Sequence, residues 1–380
     1  MTSASTSEAR RAALPRRAKL SRAGLAAALL AMAACTSAPR APYTPQTALV
    51  PFAAAGIEDR SAEYGELFCS ALQCAGAEGG PWDECSHYIQ TPGASVLDLP
   101  PLSNDYKILV ISGLFAKCVS PRVQAYSDAF SHLRDRHGVV AEYFDVSGLG
   151  SCEYNAALIA GYLREKTAAD SRKYIAVGYS KGATDLMVAL ATYPEVRQSV
   201  AALITVAAPV GGSRIPDLYP EWLVGLPGVD QIERCDKGDD GAVASLRGPA
   251  RQAFLRAHPT PLVPTYSLIA ISDEKTTSRA LLPLWRKLSS LSIEQDSLII
   301  AAEGVPPGAK FLGVVNGDHW AVALPFELAE SSVFRRLVNH NHFPRTALLE
   351  AAVRLVVRDL QADDSAPKSP ALNSLDEGQD

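Results

Sequence analysis

The strongest constraint on the fold of this 380-residue chain is an alternation of short, apolar, β-rich runs with helical patterns, which begins at residue 107. Strands that are buried on both faces form continuous apolar runs, and helices between such strands favour parallel pairing. The pattern predicts an α/β fold over residues 105–360: a mostly parallel central sheet with helices on both faces. The predicted strands are 107–111, 139–144, 174–177, 202–206, 265–271 and 311–315, and the predicted helices between and after them are 155–166, 183–192 and 349–360.

Three segments depart from this alternation. Residues 46–104 precede the first strand and contain a helical pattern at 62–72, so they predict an N-terminal extension that packs on the sheet. Residues 213–260 are too long for an ordinary connection and predict an inserted lid. Residues 361–380 are polar and contain prolines, which predicts a disordered tail.

The first 34 residues have the features of an export signal. Six basic residues precede an apolar run at 24–34, which is far shorter than the ~20 residues a membrane-spanning helix needs. The sequence Met32-Ala33-Ala34-Cys35 resembles the lipobox of bacterial lipoproteins, which implies lipidation of Cys35 and a tether over residues 35–45. The expected location is the bacterial cell envelope, on a membrane facing the periplasm. Simple cleavage would instead leave a soluble periplasmic or secreted protein.

Charge and cysteine usage restrict the partners. The net charge is −5, and the basic residues of the leader leave the rest of the chain more acidic, so nucleic acid is excluded as a partner. Without Cys35, six cysteines remain, and none has the Cys-x-x-Cys spacing of zinc or redox sites. They predict structural disulfides in an oxidising compartment, with Cys118 and Cys152 as the best single pair because each follows a predicted strand.

One motif combines the fold with chemistry. Gly178-Tyr179-Ser180-Lys181-Gly182 directly follows a predicted strand and directly precedes a predicted helix. A serine at such a strained turn is exposed for attack, and the flanking glycines leave room for the crowded backbone. The positive end of the helix dipole then points at the reacting centre.

This motif resembles the nucleophile elbow of the α/β-hydrolase superfamily, particularly of bacterial serine esterases and lipases. The resemblance covers residues 107–360 and includes a short Ala208-Pro209-Val210-Gly211 stretch after the next strand. It implies the α/β-hydrolase fold, with a nucleophile, an acid and a histidine in that order along the chain. Ser180 is the expected nucleophile.

The expected base is His319, because it follows the last predicted strand, where the family places its histidine. A serine hydroxyl needs such a base to take its proton. Of the seven histidines, six are excluded because they precede Ser180, leave no place for the acid, or fall in the final helical region: His87, His132, His137, His258, His340 and His342.

Two carboxylates are candidates for the acid that orients the base. Asp273 lies at the end of a predicted strand, a common position in this fold. Asp296, in Asp296-Ser297-Leu298-Ile299, resembles the Asp-Gly-x-Val pattern of bacterial lipases, although Ser297 replaces the glycine. We favour Asp296 and keep Asp273 as the alternative. Asp318, next to the base, is interpreted as a turn or rim residue.

The resemblance also implies two backbone donors for the oxyanion of the tetrahedral intermediate. One is the amide of Lys181, and the other is the amide of Leu114, in the loop where lipases often have His-Gly and this chain has Ser112-Gly113. The side chain of Lys181 is interpreted as an ordinary solvated lysine. His132 and His137 are five residues apart, so on a helix they point about 140° from each other and are not expected to share a metal.

Together these residues predict an exported serine esterase or lipase that uses no metal and no cofactor and acts on a small-molecule or lipid ester. Two alternatives remain at this point. The fold could serve a non-catalytic binding protein of the cell envelope, or the same residues could act as an acyltransferase or amidase.

Overall fold

The computed structural model describes residues 55–77, 83–114, 123–215, 236, 238–328 and 332–365. Within them, seven strands form one sheet in the order β1-β7-β6-β5-β4-β2-β3, and every neighbouring pair is parallel. The strands are β1 (Glu58–Asp59), β2 (Lys107–Ile111), β3 (Ala141–Phe144), β4 (Tyr174–Tyr179), β5 (Val200–Val206), β6 (Thr265–Ile271) and β7 (Lys310–Asn316). The predicted sheet is confirmed, with ends that differ by no more than two residues.

The helices of the described segments follow the strands in sequence. They are α1 (Ser61–Ala77), α2 (Ser127–His137), α3 (Cys152–Ala169), α4 (Lys181–Thr192), α5 (Pro194–Ser199), α6 (Ala242–Ser245), α7 (Gly248–Ala257), α8 (Leu282–Leu288), α9 (Ser332–Leu337) and α10 (Arg345–Ser365). Helix α10 continues into the segment predicted to be disordered, as far as Ser365. None of the helices in the described part of the chain is both long enough and apolar enough to cross a membrane.

The alternation of side chains along β2 shows why its sequence is apolar from Ile108 to Ile111. Ile108 and Val110 belong to a core cluster with residues of α1, α2 and α10. Leu109 and Ile111 belong to a second cluster with residues of α3 and α4. Because successive residues of a strand point to opposite faces, a sheet that is covered on both sides needs apolar residues at every position.

The chain before β2 packs on the β7 edge of the sheet. The short strand β1 pairs with Lys310 and Phe311, and Ile89 forms a bridge to Val315. Helix α1 carries Cys69, which forms a disulfide with Cys85. Two-residue β1 has no periodicity of its own, so sequence patterning could not detect it.

The predicted Cys118–Cys152 disulfide is wrong, because Cys152 is a free thiol. It is the first residue of α3, and its Sγ lies 3.4 Å from the Thr184 Oγ1 of α4, between two packed helices. Burial raises the pKa of this thiol to about 11. Cys118 and Cys235 lie outside the described residues, as do the predicted signal peptide, Cys35, the tether, residues 216–235 and 237 of the predicted lid, and the tail beyond residue 365.

Candidate active site

Ser180 is the single residue between β4 and α4, and its backbone is strained. Its φ of 53° and ψ of −128° lie outside the regions that residues with a side chain normally adopt. The amide of Ser180 donates to the carbonyl of Val206 at the end of β5, which fixes the turn to the carboxyl edge of the sheet. A strained residue held in place by its surroundings is typical of a functional position.

The glycines around Ser180 are required by close backbone contacts. A Cβ at Gly178 would lie 2.3 Å from Ala183 Cα, and one at Gly182 would lie 2.3 Å from the Ile111 carbonyl oxygen. Neither contact is possible for a real side chain. Strand β4, helix α4 and the end of β2 therefore approach each other as closely as they do only because both positions are glycine.

His319 lies three residues beyond β7 and reaches Ser180. Its Nε2 is 2.9 Å from Ser180 Oγ, and its Nδ1 is 2.8 Å from the Oδ2 of Asp296. The backbone is fixed as well: the His319 amide donates to the Asp296 carbonyl at 2.8 Å, and Tyr179 donates its hydroxyl proton to the His319 carbonyl at 2.7 Å. His319 and Asp296 are both buried, so water does not compete for these hydrogen bonds.

The carboxylate beside His319 is that of Asp296 and not that of Asp273. Asp296 Oδ1 accepts from the amides of Leu298 and Ile299 at 2.9 and 2.8 Å, which directs Oδ2 to the imidazole. Asp273 is exposed, and its Oδ1 accepts from the amides that follow it in its own turn. Partial burial alone would raise the pKa of Asp273, but these hydrogen bonds outweigh it and lower the pKa.

The backbone conformation of Ser297 shows why the lipase pattern has a glycine at this position. Its φ is 91°, a backbone conformation that favours glycine, and its hydroxyl oxygen is buried without a hydrogen-bond partner. The position therefore requires a particular backbone turn after the acid. This chain makes the same turn with a serine.

Asp318 is a buried turn residue, as the sequence analysis interpreted it. Its Oδ1 accepts from the amides of Trp320 and Ala321, and its Oδ2 accepts from the amide of Ser278. Burial raises the pKa of this carboxyl. Asp318 thus fixes the turn that carries His319.

The two expected oxyanion donors both lie beside Ser180. Lys181 is the first residue of α4, where backbone amides have no partner within the helix. The loop after β2 runs against Ser180, because a Cβ at Gly113 would lie 2.7 Å from Ser180 Cβ and 3.1 Å from its Oγ. Leu114 follows directly in this loop. The backbone thus brings both amides to the side of the serine.

The interpretation of Lys181 as a solvated lysine was wrong, and so was the expectation that the side chains of His132 and His137 point away from each other. The side chain of Lys181 is buried and pairs with Asp185, because α4 packs between α3 and the face of the sheet. His132 and His137 both reach Glu350 of α10, with Nε2 atoms 2.7 and 3.3 Å from its carboxylate oxygens. Both residues belong to α2, yet their ring centroids are 5.5 Å apart, so the angle between their backbone directions does not keep the side chains apart.

The His132, His137 and Glu350 atoms lie within 4.8 Å of one another and could in principle hold a metal. Two contacts argue for an ion-pair cluster instead. Arg354 already pairs with Glu350 at 2.6 Å. The Leu102 amide donates to His137 Nδ1 at 3.4 Å, which places the proton of a neutral ring on Nε2, whereas a metal at Nε2 needs that nitrogen free of its proton. The cluster joins α2 to α10.

The sheet, the elbow and the order of the site residues define the class: the chain has the α/β-hydrolase fold, as its resemblance implied. A metagenomic carboxyl esterase, MGS0156, is 29% identical to the chain with a TM-score of 0.75, over 87% of this chain and 99% of that one. Two other solved structures match less closely. The mature Bacillus licheniformis lipase BlEst2 is 23% identical (TM-score 0.46, 58% of this chain and 87% of that one), and lipase 1 of Pelosinus fermentans is 11% identical (TM-score 0.46, 67% and 99%). No model of a protein family matches the sequence, and neither does any curated protein.

Proposed function

We propose that the protein is an exported serine hydrolase that cleaves carboxylic esters through Ser180, His319 and Asp296. The observation that carries this proposal is the continuous chain of hydrogen bonds from Asp296 Oδ2 through both nitrogens of His319 to Ser180 Oγ. The likeness to MGS0156, which is described as a carboxyl esterase, supports the choice of an ester over other acyl compounds.

Each contact has a place in the reaction. His319 Nε2 takes the hydroxyl proton as Ser180 Oγ attacks the ester carbonyl, and Asp296 holds the imidazole in the required tautomer and stabilises its charged form. The amides of Leu114 and Lys181 donate to the oxyanion. His319 then gives its proton to the departing alcohol, leaving an acyl-enzyme. Water attacks this intermediate with His319 again as the base, and the acid is released.

The location is part of the same proposal. Cleavage before Cys35 and lipidation of its thiol would place the catalytic domain at a membrane that faces the periplasm, close to lipid esters. The Cys69–Cys85 disulfide supports an oxidising compartment. Metabolic labelling with an alkyne fatty acid tests this: the wild type should be labelled and found in the membrane fraction, and Cys35→Ala should be neither.

Labelling with a fluorophosphonate probe tests the nucleophile. The probe should modify the wild type at Ser180 and leave Ser180→Ala unlabelled. Absence of labelling would instead favour a non-catalytic binding protein. A series of p-nitrophenyl esters of increasing chain length, with matched amides and with an added alcohol acceptor, separates ester hydrolysis from amidase and acyltransferase activity. Faster turnover of the amide, or transfer to the alcohol in preference to water, would contradict the proposed reaction.

A further inference from the structure

A buried polar cluster lies directly beneath the nucleophile elbow. Lys181 Nζ donates to Asp185 Oδ1 at 2.7 Å, one turn further along α4, and the two side chains are 1% and 0% exposed. Asn155 of α3 donates from Nδ2 to the other oxygen, Asp185 Oδ2, at 2.8 Å. We call these three residues the Lys-Asp-Asn unit. Both oxygens of the carboxylate are therefore occupied by donors from two different helices.

The stability of the fold does not explain why the Lys-Asp-Asn unit is present. The other buried positions of α4 near it are mostly small or apolar, as at Ala183 and Leu186. Removing two charges from water is costly, and an apolar pair of similar volume commonly stabilises a fold equally well or better. The ionic pair constrains the orientation of the side chains, because its hydrogen bonds fix angles as well as distances.

The same unit continues into the loop after β3. Asn155 accepts from the Ser147 amide through Oδ1 and donates to the Ser147 carbonyl, both at 3.0 Å. Ser147 Oγ in turn donates to the Asp236 carbonyl at 2.9 Å. Ser151, four residues on, donates from its amide and its hydroxyl to the Asp239 carboxylate. A continuous path of hydrogen bonds therefore joins the first turn of α4 to the loop at 147–151 and to the described end of the predicted lid.

We propose that Lys181, Asp185 and Asn155 are positioning residues that hold the first turn of α4, and with it the Lys181 amide, in place beside Ser180. This inference rests on the reaction proposed above, in which that amide binds the oxyanion. An oxyanion donor acts over a narrow range of distance, and a shift of about 1 Å in a catalytic group can cost on the order of 100-fold in rate. Asn155 extends the same support to the loop at 147–151.

Two paired variants separate positioning from filling of space. Lys181→Met/Asp185→Leu removes the charges and the hydrogen bonds but keeps the volume. Lys181→Gln/Asp185→Asn removes the charges and can keep the hydrogen bonds. In that pair, the amide oxygen introduced at position 185 can accept from Asn155, while the NH₂ group of the same side chain donates to the amide oxygen introduced at position 181. Lys107→Met is the matched control, since Lys107 is a buried lysine at the opposite end of the sheet.

The readouts are kcat and KM with p-nitrophenyl butyrate, the melting temperature, and hydrogen exchange of the peptides that cover 181–185 and 147–151. For the apolar pair we expect kcat to fall about 10- to 100-fold with KM within about 2-fold and a melting temperature close to the wild type. Exchange in both peptides should be about 10-fold faster or more. The neutral pair should keep kcat within about 3-fold, and Lys107→Met should not change it.

Wild-type kcat and exchange in the apolar pair would overturn the inference. So would failure of both paired variants to fold while Lys107→Met folds, since the unit would then be needed for stability. Failure of the proposed function gives a different result: a wild type that hydrolyses no ester and is not labelled at Ser180. In that case the exchange data alone decide whether the unit holds the first turn of α4.

Discussion

Replacement of Asp296 by asparagine should disable the base by reversing its tautomer. Asp296 Oδ1 accepts two amide hydrogens, from Leu298 and Ile299. In Asp296→Asn the side-chain carbonyl must stay at that position, since an NH₂ group there would face two donors. The NH₂ group therefore faces His319 Nδ1, which must become an acceptor. The ring proton then moves to Nε2, where it faces Ser180 Oγ.

The size of the effect follows from that tautomer. A histidine with a proton on Nε2 cannot accept the serine proton, and the opposite amide orientation sacrifices two buried hydrogen bonds at about 1–3 kcal/mol each. In serine proteases the same change of acid to amide lowers kcat by about 10⁴-fold. That factor corresponds to about 5.4 kcal/mol of transition-state stabilisation at 1.36 kcal/mol per decade. We expect a loss of about 10³- to 10⁴-fold for Asp296→Asn.

The assay is hydrolysis of p-nitrophenyl butyrate by purified protein, with melting temperatures and circular dichroism measured in parallel. Asp273→Asn is the matched control, because Asp273 is exposed and serves only its own turn. It should keep kcat within about 2-fold. If Asp296→Asn keeps more than a tenth of wild-type kcat, or if the Asp273 variant loses as much, the assignment of the acid is wrong.

Three further predictions concern the backbone and an ion pair. Gly113→Ala should lower kcat about 100-fold and also lower the melting temperature, because the new Cβ lies 2.7 Å from Ser180 Cβ and the loop must shift; wild-type acylation in a burst titration would refute this. Ser297→Gly should stabilise the fold by about 1 kcal/mol, raising the melting temperature by about 2–4 °C, because glycine accepts the φ of 91°; a lower melting temperature would contradict it. Burial alone would raise the pKa of Asp359, but hydrogen bonds, including the 2.6 Å contact from Lys310, lower it. The ionised form then stabilises the fold above its unfolded pKa, and this stability is lost as the pH falls through the lower folded value. Asp359→Asn should therefore cost about 2 kcal/mol in urea denaturation at pH 7 and less once the pH falls below the unfolded pKa; an equal cost at both pH values would refute the sign.

The sheet and the elbow could be predicted from the sequence because both depend on local patterns. Strands such as β2 and β4 are short and mostly apolar, and the elbow is a contiguous motif at a strand end. The two candidate acids, Asp273 and Asp296, both lie after β6 and before His319. The order of residues along the chain therefore could not decide between them. The choice depends on which loop folds back over the base, and this is a long-range property.

Side-chain environments were the least predictable part. Lys181 has the sequence context of a solvated lysine. Its partner Asp185 lies four residues on in the same helix, but only the packing of α3 against α4 shows that the pair is buried. The Cys152 thiol and the pair His132 and His137 show the same limitation. Their partners come from other elements, more than 30 residues away along the chain. Spacing within one element carries no information about such contacts.

The departures from the lipase patterns show which motif positions depend on the backbone. Ser297 replaces a glycine, yet it adopts a positive φ and leaves Asp296 in contact with His319. Ser112 replaces a histidine, yet the loop after β2 still runs against Ser180, because the contact is made at Gly113. At both positions the retained geometry is that of the main chain. A different side chain there lowers the stability of the fold but leaves the arrangement of the site intact. The glycines at 178 and 182 are different, since a side chain at 178 would push α4 away from β4 and one at 182 would push it away from β2. A mismatch at either of those two positions would have argued against the elbow, whereas the mismatches this chain contains do not.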